Sequence, residues 1–172
     1  MSAAVLVLAL VTLQRLGELV LSARHERRLA ARGAYEVGGA HYPAMVAVHG
    51  LWLVVLWLAA LGLPPGPVTL SWPLVGAYAA VQALRVWTLA SLGERWTTRI
   101  IVVPGAPLVA RGPYRYLRHP NYVVVVLEIA LLPLAFGLPG TAALFSLLNA
   151  GILVVRIRAE DAALAGARSE GR

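Results

Sequence analysis

Five apolar runs, Ala3–Leu21, Pro43–Leu63, Leu70–Leu92, Tyr122–Phe136 and Thr141–Val155, constrain this chain more than any other feature. A helix needs about 20 residues to cross the hydrocarbon core. In lipid, a spanning segment must also satisfy its own backbone, which for such runs means α-helix. The last two runs are short, and Pro133, Gly137, Pro139 and Gly140 predict a tight hairpin between them, tilted or kinked. With 59% hydrophobic and 13% charged residues, a water-soluble domain of this size could not hide its apolar surface. The first run lacks the basic leader of a cleavable signal and reads as a retained helix. The expectation is an all-α integral membrane protein with about five transmembrane helices, folded as a single membrane-embedded domain over residues 1–172.

Arginine placement predicts the orientation. The segment Ser22–Tyr42 carries Arg24, Arg27, Arg28 and Arg32, and Gly93–Asn121 carries Arg95, Arg99, Arg111, Arg115 and Arg118. The tail adds Arg156, Arg158, Arg168 and Arg172, whereas the turns Gly62–Pro67 and Gly137–Gly140 carry no charge. The positive-inside rule then puts the N-terminus outside and the C-terminus in the cytoplasm. The formal net charge is +7. Because these arginines flank apolar spans, anionic membrane lipids are the expected counter-charge and nucleic acid is not. The absence of Cys removes thiol and disulfide chemistry, and the four His show no metal-ligand spacing, so no metal site is expected. No dinucleotide fingerprint, P-loop or nucleophile elbow is present, so any nucleotide-like cofactor must bind among helices and loops.

The densest polar stretch is Arg111-Gly112-Pro113-Tyr114-Arg115-Tyr116-Leu117-Arg118-His119-Pro120-Asn121-Tyr122, feeding directly into an apolar run. Proline suits the first turn of a helix, which places His119 at the N-cap. A helix start flanked by cations favours an anionic ligand at the membrane surface.

Ionisable groups inside the spans are costly and usually face a partner or a cavity. Arg15 and Glu18, with Gln14 beside them, are spaced to share one face and neutralise each other. Gln82 and Arg85 repeat that spacing, and Arg85 is expected to snorkel to the headgroups. Glu128 has no local partner and stands between core glue and active site. His49 reads as structural, whereas His25 and His41 read as loop residues open to substrate contact. In the tail, Arg156 and Glu160 are four apart on one helix and face the Arg111–Tyr122 end, with Arg158 and Asp161 widening the charged surface.

The run Gly112–Tyr122, then a helical hairpin, then Arg156-x-x-x-Glu160, resembles the isoprenylcysteine carboxyl methyltransferase family, small membrane enzymes that use S-adenosylmethionine. The motif-bearing resemblance covers about Ile101–Leu164, within a catalytic part of about 95–165. Gln14-Arg15, Glu18-Leu19 and Gly33–Gly38 ahead of His41-Tyr42 resemble a bacterial branch linked to O-methylation of alkylpyrones and alkylresorcinols. Type III polyketide synthases make those acceptors, so a functional link to such a synthase is implied.

The resemblance implies that Ala106, Pro107, Leu108, Val109, Tyr114, His119, Pro120, Asn121, Tyr122 and Glu160 bind the cofactor, and that Arg156 contacts the acceptor near its reacting oxygen. A carboxyl or acidic hydroxyl acceptor would need no strong base. An ordinary alcohol would, and Glu128 is then the candidate. Two departures from the family pattern stand out: the stretch after Leu164 lacks an aromatic-rich tail, and Asp161 replaces a common Glu. The leading expectation is a methyltransferase acting on a lipophilic acceptor at the cytoplasmic side of a bacterial membrane. A membrane reductase of the sterol type, with a similar R-H-P-N-Y helix start and NADPH, is the rival enzyme class. A non-catalytic membrane scaffold is the third reading.

Overall fold

The computed structural model describes residues 2–169, with side chains through Ala165, so the Arg168 side chain and Arg172 of the tail lie outside the described residues. Five helices carry the chain: α1 (Ala3–Ala30), α2 (Tyr42–Ala60), α3 (Trp72–Leu92), α4 (Pro120–Ala135) and α5 (Pro139–Ser169). Three stretches, Ala3–Ala30, Gly39–Ala60 and Pro139–Ala165, are long and apolar enough to cross a membrane, and α4 is apolar but shorter. Contacts along their lengths show the helices alternating in direction. Thr12 of α1 meets Trp57 of α2, Gln14 meets Gln82 of α3, and Tyr122 of α4 meets Arg156 of α5. The basic segments therefore gather at one end of the bundle.

The predicted hairpin between α4 and α5 forms, and its tightness has a local cause. Gly137 takes φ +74°, the Gly137 N–H bonds to the Leu134 carbonyl and the Leu138 N–H to the Pro133 carbonyl, closing a Schellman cap. Pro133 lies inside α4 and cannot donate to the Ile129 carbonyl four residues back. The Trp52 indole N–H of α2 supplies that bond at 3.3 Å, so no acceptor is stranded in lipid.

Two expectations about the connecting segments change. The segment Ser22–Tyr42 is not a loop over its first part, because α1 continues to Ala30 through good helix formers and ends on Arg27 and Arg28, which suit a helix C-terminus. The fold is also not purely helical. β1 (Tyr35–Val37) pairs antiparallel with β2 (Ile100–Val102), in the register Tyr35↔Val102, and ties the two basic segments together.

Three layers follow along the bundle. At the end away from the arginines, Leu8, Leu56, Tyr78, Leu132, Phe136 and Phe145 pack into an apolar cluster, while Leu10, Leu13 and Leu147 point outward as lipid-facing side chains do. At mid-height, helices α1, α3 and α4 meet through buried charge. Arg85 donates from Nε and Nη2 to the two Glu18 oxygens at 2.5 Å each, and from Nη1 to Glu128 at 2.9 Å. Arg15 joins both carboxylates, at 3.0 Å to Glu18 and 2.8 Å to Glu128. Gln14 donates to Glu18 and Gln82, and Gln82 donates to Glu128. Two cations and two anions thus balance.

Arg85 accordingly does not snorkel. It is 6% exposed, because two buried carboxylates on neighbouring helices outbid distant headgroups. Arg15 and Glu18 are not a self-contained pair, and Glu128 has partners on two other helices that its own helix does not reveal. The third layer, at the basic end, holds the cavities.

Candidate functional site

One face of α5 organises the site. Asn149, Ile152, Leu153 and Arg156 recur at helical spacing and line an apolar cavity of about 290 Å³. Continuing the stripe, Arg156, Glu160 and Leu164 line a smaller, polar cavity of about 100 Å³ toward the basic end. The larger cavity runs from the mid-height charge layer, past Met45 and Trp52 of α2. Trp96, Thr97, Asn121, Tyr122 and Arg156 line both cavities, so the two meet there.

Arg156 sits at that junction, 6% exposed. Its Nε donates to the Tyr122 hydroxyl at 3.1 Å, its Nη2 to the Thr98 carbonyl at 2.7 Å, and its Nη1 contacts the Met45 sulfur at 3.2 Å. Each partner is neutral, and among the described residues no carboxylate pairs with Arg156. A buried guanidinium without an anion is costly, which makes an anionic ligand the natural complement. The Tyr122 hydroxyl donates onward to Glu160, so Glu160, Tyr122 and Arg156 form one connected chain. Burial, and secondarily the Glu160 charge, push the Tyr114 phenol up, leaving it a neutral donor at the polar cavity.

The loop under Arg156 is pinned from α1. Ser22 accepts the Thr98 N–H at 2.8 Å and donates to Glu26, and Thr98 also touches the Tyr42 hydroxyl. Nearby, Arg99 lies 4.3 Å over the Tyr42 ring and bonds Glu36 at 2.7 Å, which raises the Arg99 pKa.

Of the residues expected at the cofactor, Tyr114, His119, Asn121, Tyr122 and Glu160 line the polar cavity. His119 is the N-cap of α4, stacks on Tyr122 with ring centroids 5.3 Å apart, and comes within 3.3 Å of Asp161. Pro120 is the first residue of α4 and is buried behind the site, setting the helix start. Ala106, Pro107, Leu108 and Val109 line neither cavity. They sit on a largely exposed loop, where the Pro107 carbonyl accepts from Arg95. Glu128 faces the apolar cavity with both oxygens already bonded. His25 belongs to α1, not to a loop, and is buried with Nδ1 2.8 Å from the Trp96 carbonyl, a structural tie. His49 bonds the Met45 carbonyl on its own helix.

Sequence reasoning missed Trp96, Thr97, Thr98 and Met45. Thr98 acts through its backbone carbonyl, which carries no side-chain signal, and the others read as ordinary loop or span residues. The polar cavity fits a ligand with both donors and acceptors, because Trp96 Nε1 and Asn121 Oδ1 are buried without a bonding partner.

The isoprenylcysteine carboxyl methyltransferase (ICMT) family profile matches residues 74–166, more than half of the chain. The uncharacterized protein YpbQ of Bacillus subtilis is 42% identical over 159 residues, spanning 92% of this chain and 95% of that protein. An uncharacterized protein of Haemophilus influenzae is 28% identical over 156 residues, spanning 87% and 88%. No solved structure matches.

Proposed function

The chain belongs to the isoprenylcysteine carboxyl methyltransferase family, and from its site we propose methyl transfer from S-adenosylmethionine to an oxygen of a lipophilic acceptor. The observation that carries this reading is Arg156, a buried cation without a carboxylate partner where a polar cavity meets an apolar one. S-adenosylmethionine supplies an electrophilic methyl group on a sulfonium. Glu160 suits the cofactor's ammonium or ribose hydroxyls, while Tyr114, Trp96 and Asn121 offer further hydrogen bonds. Arg156 orients the acceptor oxyanion at the junction, and the buried setting excludes water from it.

The acceptor on this reading is acidic. Glu128 is engaged on both oxygens, by Arg15 and Gln82 on one and Arg85 on the other, so on this reading it serves the wall of the cavity as their counter-charge instead of taking a hydroxyl proton. A carboxyl or an acidic ring hydroxyl ionises without a strong base. An alkylpyrone or alkylresorcinol from a type III polyketide synthase fits, as does a prenylcysteine-like carboxylate. The first is favoured because Gln14, Arg15 and Glu18, which carry the resemblance to that branch, build the charged layer beside the cavity. Cofactor supply further requires the basic end to face the cytoplasm, giving a bacterial cytoplasmic-membrane enzyme.

The polar cavity, at about 100 Å³, is small for a nucleoside-bearing cofactor, so the reading requires the Ala106–Val109 loop to cover what the cavity does not. Calorimetric titration of detergent-purified protein with S-adenosylhomocysteine, and with NADPH in parallel, tests the proposal. The expected result is binding of the former alone. In Glu160→Gln, binding should weaken at least about tenfold, as loss of a hydrogen bond to a charged group does, with the melting temperature unchanged. Binding of NADPH alone, or of neither ligand, overturns it.

A further inference from the structure

Asn149 carries a side-chain oxygen that the fold itself does not use. It lies on α5, 1% exposed, on the wall of the apolar cavity, and its Oδ1 has no hydrogen-bond partner. The other amides at this depth behave differently. Gln14 donates to both Glu18 and Gln82, and Gln82 donates to Glu128, so amides with a structural task here are bonded. A buried amide facing an apolar cavity loses free energy unless something bonds it. An apolar residue at position 149 would avoid that loss, so the amide points to a ligand.

Its place defines what the ligand must carry. Asn149 and Arg156 are seven residues apart on one helix, which puts them on the same face about 10 Å apart along the axis. Both line the same cavity, with Ile152 and Leu153 between them. We infer that Asn149 is a specificity residue that bonds a second hydroxyl of the acceptor, away from the oxygen methylated beside Arg156. The preferred acceptor is then a lipophile with two oxygen functions, not one with a single polar head. This rests on the methyltransferase reading for the role of Arg156. The Asn149 contact itself requires only that the cavity hold a lipophile.

Binding is read by quenching of intrinsic tryptophan fluorescence, since Trp52 and Trp96 line the cavity. The probes are a 5-alkylresorcinol and the 3-alkylphenol of the same chain length, added to full-length protein in detergent with S-adenosylhomocysteine present. Wild type should bind the resorcinol about tenfold more tightly, the net effect of one hydrogen bond. Asn149→Leu should bind both alike, with unchanged affinity for S-adenosylhomocysteine. Asn149→Ala, which only enlarges the cavity, gives the same comparison if the leucine variant does not fold. Equal affinities in wild type, or a preference that survives in the variants, overturns the inference. If the preference is lost in the variants but wild type transfers no methyl group, the Asn149 contact stands and the methyltransferase reading falls.

Discussion

Replacing Arg85 with methionine tests the mid-height charge layer most directly. Arg85 donates three charge-assisted hydrogen bonds, two at 2.5 Å to Glu18 and one at 2.9 Å to Glu128. Each such bond is worth roughly 1.5–3 kcal/mol alone, and the three are not additive. Arg85→Met leaves Arg15 facing Glu18 and Glu128, one uncompensated negative charge among the helices. Removing one partner of a buried pair costs about 3–5 kcal/mol. Helices separated within a micelle find other polar partners, so the lower part of that range applies. The double variant Arg85→Met/Glu18→Gln restores balance by leaving Arg15 with Glu128, and its cost should fall below the sum of the single changes by at least about 1 kcal/mol. Equilibrium unfolding by sodium dodecyl sulfate in mixed micelles, followed by circular dichroism, measures all three. A headgroup anchor would lose about 0.5 kcal/mol or less on truncation. That small a loss for Arg85→Met, or full additivity in the double variant, would refute the buried network.

Three further outcomes are expected. Gly112 has φ +57°, and a Cβ there would overlap Ser91 Oγ and lie 3.1 Å from Trp87 Nε1. Gly112→Ala should therefore cost about 2 kcal/mol or more through strain and overpacking, with Ser91→Gly in the same chain recovering part of it in thermal melts. Loop closure over the cofactor predicts slower backbone hydrogen exchange in residues 104–110 when S-adenosylhomocysteine is bound, and unchanged exchange there would remove Ala106–Val109 from the site. At the bundle end, a hydrogen bond from Arg28, with Arg32 beside it, holds the Glu94 carboxyl below its ordinary 4.5. A carboxyl with a lowered folded pKa stabilises above its unfolded value and loses that contribution as the pH falls through the folded one. Melting temperature should thus drop slightly more steeply below pH 4.5 in wild type than in Glu94→Gln, and superimposable curves would show the pair contributes nothing.

What could be read in advance follows from how far each signal reaches along the chain. The hairpin was legible because Pro133, Gly137 and Pro139 act on the backbone within a few residues of themselves, and a Schellman cap is local. The basic end was legible for a similar reason, since arginines mark an interface whatever they touch. The Arg156–Glu160 face needed only helical spacing, and Tyr122 lies between them because Pro120 fixes where α4 begins. Arg85 and Glu128 failed that approach. Each has partners 43 or more positions away in sequence, and local spacing offered only the nearest neighbour or the headgroups. The same blindness hid Thr98, whose carbonyl holds Arg156, and Asn149, whose meaning is the lack of a partner. A polar residue inside a span can be counted from sequence. Whether it glues helices or awaits a ligand depends on whether its neighbours already supply its hydrogen-bond partners and its counter-charge. On that criterion Glu128, with both oxygens held by neighbouring helices, reads as framework, whereas Arg156, with no carboxylate beside it, and Asn149, with an unpartnered oxygen, are the residues on which the proposed ligand contacts rest.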